Sequence, residues 1–179
     1  MKRILVSFAL CLAGLTSFAQ HKGDVGLGIN FGVAPCVESG ASLTNVGLGA
    51  KFRYNVSNSV RLEADFDYWF KSKSIDFLDL SANVHYVFNA GNKFHIYPLL
   101  GIGYARVSSS CGITDYDIDY NGNLNVETGS VGVNRFLVNV GAGVDYDVTD
   151  KIALGFELKY QYIQDFSRLP ITFSLTFNL

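Results

Sequence analysis

The chain has 179 residues, 49% of them hydrophobic, 14% aromatic and 17% charged, with a formal net charge of −2. That balance offers no basic surface for a polyanion and excludes nucleic acid as the expected partner. Beyond the N-terminal leader no apolar stretch approaches the ~18 residues of a membrane helix.

Met1-Lys2-Arg3 precedes an apolar run from Ile4 to Leu15 and a small-x-small site, Ser17-Phe18-Ala19. This is the pattern of a secretory signal peptide, residues 1–19, with cleavage after Ala19 and a mature domain over 20–179. Cys11 lies inside the apolar run and not at the cleavage point, so no lipid anchor is expected.

The mature chain then alternates apolar and polar residues in about eight segments, the mark of strands with two unlike faces. They run from Asp24 to Val33, Asn45 to Tyr54, Ser59 to Phe70, Phe77 to Phe88, Phe94 to Val107, Arg135 to Asp147, Lys151 to Ile163 and Ile171 to Leu179. The links at 55–58, 89–93 and 147–150 are short and rich in Asn, Asp, Ser and Gly, as tight hairpin turns require. The links at 34–44, 71–76, 108–134 and 164–170 are read as loops at the opposite end. Short turns at one end and longer loops at the other is the asymmetry of an outer-membrane barrel, and strands of about ten residues tilted by ~40° span its ~25 Å apolar band.

The faces decide which side meets water. One reads Leu62, Ala64, Phe66, Tyr68 and Phe70, then Leu78, Leu80, Ala82, Val84, then Leu154, Phe156, Leu158. The other reads Arg61, Glu63, Asp65, Asp67, then Asp79, Ser81, Asn83, His85, then Glu157, Lys159, Gln161, and carries Gly26, Gly28, Gly47, Gly49, Gly101, Gly103, Gly141 and Gly143. Glycine in a solvent-facing strand costs ~0.5–1 kcal/mol for no gain, whereas inside a narrow barrel it makes room for long neighbours. Tyr54, Phe70, Phe88, Phe94, Tyr104, Tyr146, Tyr160 and Tyr162 stand near strand ends on the apolar face, where interfacial girdles belong. The expected fold is all-β, an eight-stranded antiparallel up-and-down transmembrane β-barrel, with outer-membrane lipid against its apolar face. A soluble lipocalin-like ligand-binding barrel or sandwich is the competing architecture.

Three stretches, "IYPLLGIGYARV" (96–107), "NVGAGVDYDVTDKIALGFELKYQY" (139–162) and "ITFSLTFNL" (171–179), resemble the small eight-stranded outer-membrane barrels that include OmpX and the membrane domain of OmpA. The resemblance covers essentially the whole mature chain. It implies an outer-membrane monomer delivered by the barrel-assembly machinery, with a structural or surface-interaction role through the extracellular loops. The family's assembly signal normally ends in an aromatic residue; here Phe173, Leu175 and Phe177 fit the pattern and the last residue is Leu179. The cell-wall anchoring of OmpA does not carry over.

The inward set comprises Lys51, Arg53, Arg61, Arg135 and Lys159 against Asp24, Glu63, Asp65, Asp67, Asp79, Asp145 and Glu157, with His85 beside them. Buried charges require partners, so this near-balanced set is read as a salt-bridged polar plug. About eight strands enclose only enough room for side chains, which makes a narrow porin-like channel the lesser alternative. Cys36 and Cys111 fall in outer loops and form a candidate disulfide in an oxidising compartment. Asp117, Asp119 and Asn121 before Gly122 imitate the start of a calcium loop, but position 128 is Thr and Glu127 comes one residue early, so a solvated hairpin tip is the better reading. His21, His85 and His95 have no metal-ligand spacing, and no outer loop contains a His for a Ser-His-acid site. No cofactor, resident metal or enzymatic activity is expected.

Overall fold

The computed structural model describes residues 22–37, 43–109, 113–118, 124–128 and 131–179. The leader at 1–19, Cys111, Asp119 and Asn121 lie outside these residues. Eight long strands form the wall: β1 (Val25–Pro35), β2 (Thr44–Asn55), β3 (Val60–Ser72), β4 (Ile75–Tyr86), which β5 (Phe88–Asn89) continues after a break at Val87, β6 (Phe94–Ser109), β9 (Val131–Thr149), β10 (Ile152–Ile163) and β11 (Ile171–Asn178). Between β6 and β9 a two-stranded hairpin, β7 (Ile113–Ile118) and β8 (Leu124–Thr128), pairs with itself. Every neighbour in the wall is antiparallel; β1 pairs with β11 and β4 with β6, so the sheet closes on itself. Closure removes the unpaired edges that lipid would not tolerate.

The burial pattern is inside out. In β3 the buried residues are Arg61, Glu63, Asp65, Asp67 and Trp69, whereas Leu62, Phe66, Tyr68 and Phe70 are exposed; β10 buries Glu157, Lys159 and Gln161 and exposes Leu154, Phe156, Leu158 and Tyr160. An apolar surface continuous around the wall far exceeds what a water-soluble monomer exposes. Lipid therefore covers it, and the lipocalin-like alternative, which needs the opposite orientation, is set aside. Ring pairs mark the band's limits: Phe94 with Tyr146 (centroids 4.8 Å apart) and Tyr86 with Phe88 (4.8 Å) at the end that carries the short turns, Tyr68 with Phe70 (5.4 Å) and Tyr104 with Phe136 (6.1 Å) at the other.

The turns follow local chemistry. Ser57 accepts from the backbone N–H groups of Ser59 (3.3 Å) and Val60 (3.0 Å), and Gly91 supplies a φ of 118° between β5 and β6. Two outer links depart from the sequence reading. The link at 71–76 is a two-residue turn at Lys73 and Ser74, both with positive φ, because Ser72 still pairs with Ile75. In the link at 108–134 the described residues are strand: the β6–β9 ladder continues out to Ser109 and Val131, beyond the apolar band, and β7 pairs with β8.

Candidate functional site

Period-2 alternation aims one set of side chains into the lumen, and register decides which of them meet. Arg53 stands opposite Glu63, and Lys51 opposite Asp65, across β2 and β3. Glu157 and Asp145 face Gly143 and Gly155 across β9 and β10, so glycine opens the space through which distant charges reach them. The Tyr97 ring lies over Gly143, where an added Cβ would meet the phenol oxygen at 2.6 Å.

Glu157 is the hub. It accepts from Lys51 Nζ (3.0 Å), Arg53 Nη2 (3.1 Å) and Tyr97 Oη (2.8 Å), and Lys159 Nζ lies 3.3 Å from its other oxygen. Arg53 also donates to Glu63 (2.7 Å) and reaches Asp145 (3.2 Å), which takes a further bond from Arg61 (2.8 Å). Lys51 lies 3.3 Å from Glu63, and Lys159 donates to Asp65 at 3.0 Å, joined there by Asn83 (2.9 Å). All these charged groups are buried. Isolated charges could not remain ionised there; linked to one another by hydrogen bonds and ion pairs, although Glu63 Oε1, Asp65 Oδ1 and Glu157 Oε2 take no hydrogen bond, they form a cross-braced interior.

His85 stacks on Tyr97 (4.6 Å, 9°), and the Arg61 guanidinium also lies over the Tyr97 ring, 4.4 Å from its centroid. Arg61 Nε donates to His85 Nδ1 at 3.1 Å, which places the imidazole proton on Nε2, 3.4 Å from Glu63 Oε1. Glu63, His85 and Glu157 thus bring metal-ligand atoms within 4.8 Å of one another, a grouping that sequence spacing does not reveal. Glu63 Oε2, Glu157 Oε1 and His85 Nδ1 accept from Arg53, Lys51 and Arg61, whereas Glu63 Oε1, Glu157 Oε2 and His85 Nε2 have no hydrogen-bond partner. With Lys51, Arg53, Arg61 and Lys159 already against these three residues and the imidazole proton on Nε2, the grouping serves the ion-pair network and does not fit a further cation.

At the outer end the polar filling gives way to an apolar stopper: Ala34, Leu43, Trp69, Phe77 and Val107, joined through Phe166 to Ala105, Leu137 and Ile163. The polar plug expected from the sequence thus occupies only part of the lumen, and the apolar stopper lies beyond it. The stopper is pinned by Arg168, from the link at 164–170. Arg168 is fully buried, pairs with Asp79, donates to Gln161 Oε1 (2.5 Å) and lies over Phe77 (4.3 Å) and Trp69 (5.0 Å). Trp69 Nε1 also donates to Asp79, at 2.9 Å. The link itself joins the wall: Val37 N–H donates to Ser167 O (2.8 Å) and Leu169 N–H to Pro35 O (2.9 Å).

At the opposite mouth a cavity of about 520 Å³ is lined by Asp24, Arg53, Arg61, Asp145, Asp147 and Lys151 among others. Beside it His95 is buried between Asn89 (2.5 Å) and Asp147 (2.7 Å). Asp67 and Asp79 face each other across β3 and β4, both buried. Arg135 does not join the network: it is half-exposed at the outer rim, 3.8 Å from Asp165. Cys36 is half-buried beside Arg168, and burial pushes its thiol up against the opposing pull of the guanidinium. Of the calcium-like triplet only Asp117 is described, in β7.

Comparison with known proteins agrees with this architecture. A family model described as outer membrane protein beta-barrel domain matches residues 5–178. No curated protein matches the sequence. Solved structures are similar in fold: Ail, the attachment invasion locus protein of Yersinia pestis (17% identity, 88% of this chain and 99% of Ail, TM-score 0.61), Neisserial surface protein A (15%, 87% and 99%, 0.69) and the N-terminal β-barrel domain of Pseudomonas aeruginosa OprF (16%, 89% and 100%, 0.58). A further Ail structure, 18% identical with a TM-score of 0.62, contains the heparin analogue sucrose octasulfate.

Proposed function

The chain belongs to the outer membrane protein beta-barrel domain family, and from that premise we propose that this outer-membrane barrel works through its extracellular loops, as a structural and surface-interaction protein, and does not transport solutes or catalyse a reaction. The observation that carries the reading is the double closure of the lumen, by the Glu157-centred network in the middle and the Arg168-pinned stopper at the outer end. Purified barrel in a planar bilayer is expected to give no stable conductance steps; large reproducible steps would return the narrow-porin reading.

The third loop suggests the kind of partner. Between Ser108 and Asn134 it holds Asp115, Asp117, Asp119 and Glu127 and no Lys or Arg. Where Ail accepts a sulfated ligand, this loop favours a cationic surface, through complementary charge. In zwitterionic nanodiscs, wild type is expected to bind immobilised polylysine over heparin, and neutralising the four acids to Asn and Gln should weaken that binding roughly tenfold or more at low salt. Binding that survives the neutralisation sinks the loop assignment.

A further inference from the structure

We propose that Arg106, with Asn134 opposite it, holds the phosphate of an outer-leaflet lipid headgroup. The lipid-facing positions of β4, β6 and β9 change character in register. One level reads Leu80, Tyr104 and Phe136, the next outward reads Leu78, Arg106 and Asn134, and the next Asp76, Ser108 and Gly132. The apolar band therefore ends between Tyr104 and Arg106, the height at which the hydrocarbon gives way to headgroups.

Arg106 is exposed on this lipid-facing side and makes no hydrogen bond or ion pair among the described residues, whereas Arg53, Arg61, Arg135 and Arg168 all have carboxylate partners. Asp76, diagonal to it across β4, forms no ion pair with it. The guanidinium lies against the backbone of Gly132, where an added Cβ would come within 3.2 Å of Nε and 3.3 Å of Nη2. Glycine at 132 thus leaves the shelf on which the fork rests. Asn134 stands directly opposite Arg106, close enough for both side chains to meet one ligand, and Tyr104 lies on the same face one level below. A guanidinium and an amide at the headgroup level offer hydrogen-bond donors to a tetrahedral anion, and the planar fork suits a phosphate monoester better than a point charge does.

The inference needs only the outer-membrane location and is independent of the loop reading. Barrel would be reconstituted in phosphatidylcholine with a minor fraction of either phosphatidic acid or diacylglycerol, which differ by the phosphate alone. Lipid retained after extraction would be read by native mass spectrometry. Wild type is expected to prefer phosphatidic acid roughly tenfold, R106Q to lose the preference, and R106K and G132A to keep only part of it. An unchanged heat-dependent gel shift for R106Q in detergent shows that the variant is folded. Equal retention of the two lipids, or the same preference in R106Q, overturns the proposal. Displacement of the lipid by equimolar inorganic phosphate also overturns it, since the site would then be one for a free anion.

Discussion

Replacing Glu157 by Gln is expected to lower the unfolding stability of the barrel by ~3–5 kcal/mol, the usual cost of removing one partner from a buried ionic cluster. The carbon skeleton is unchanged, so no cavity is created. What is lost is the charge that compensates Lys51, Arg53 and Lys159 at 3.0–3.3 Å. Urea titration in lipid vesicles, followed by the fluorescence of Trp69, the single tryptophan, would measure the shift. Asp165→Asn is the comparison. Its carboxylate is 65% exposed and 3.8 Å from Arg135, so its removal should cost no more than ~1 kcal/mol. If the two variants were equally stable, the strand ladder alone would be holding the barrel and the lumen charges would be dispensable.

Phe66→Arg is expected to abolish recovery of the protein in the outer membrane. Phe66 lies midway along β3, 51% exposed, flanked in register by Ala50 and Leu80 on the lipid-facing surface. A guanidinium at that depth costs ~2–4 kcal/mol, enough to let misassembly and degradation win over insertion. Its sequence neighbour Asp65 points the opposite way and meets Lys159 at 3.0 Å, so charge is required one residue away from where it is forbidden. Fractionation with a boiled and unboiled gel comparison reads the outcome. Normal insertion of the arginine variant would mean that this face does not contact hydrocarbon.

The wall and its two faces were legible in the sequence because a strand's side-chain period of 2 needs no partner to be read. Lys51, Arg53, Arg61, Glu63, Asp65, Asp145, Glu157 and Lys159 could be placed inside by parity, but not paired. Arg61 meets Asp145 across 84 positions through ring closure and register, and no local pattern encodes that. Arg168 was missed for a different reason. A lone arginine in a polar link reads as solvated, and its burial comes from the backbone pairing of the link with Pro35 and Gln161. Trp69 and Phe77 carried a usable signal: both occupy the inward parity of their strands, which marks the place where polar filling stops. The two-residue turn within 71–76 is hidden in the sequence because Lys-Ser is not an expected pair for a turn with two positive φ values; the flanking ladder imposes it.

The salt bridge between Arg168 and Asp79 joins positions 89 residues apart, and it constrains how the outer surface can be exchanged. A chimaera that receives its last loop from a relative inherits an interior charge along with the graft. Without a cation at 168, Asp79 keeps only the Trp69 Nε1 bond and faces the buried Asp67 with no opposite charge beside it; with the cation but without Asp79, the guanidinium keeps Gln161 and loses its carboxylate. The segment at 164–170 and Asp79 form one unit of heredity, so designers should transplant them together, and related barrels with freely varying last loops should be those in which position 79 is uncharged.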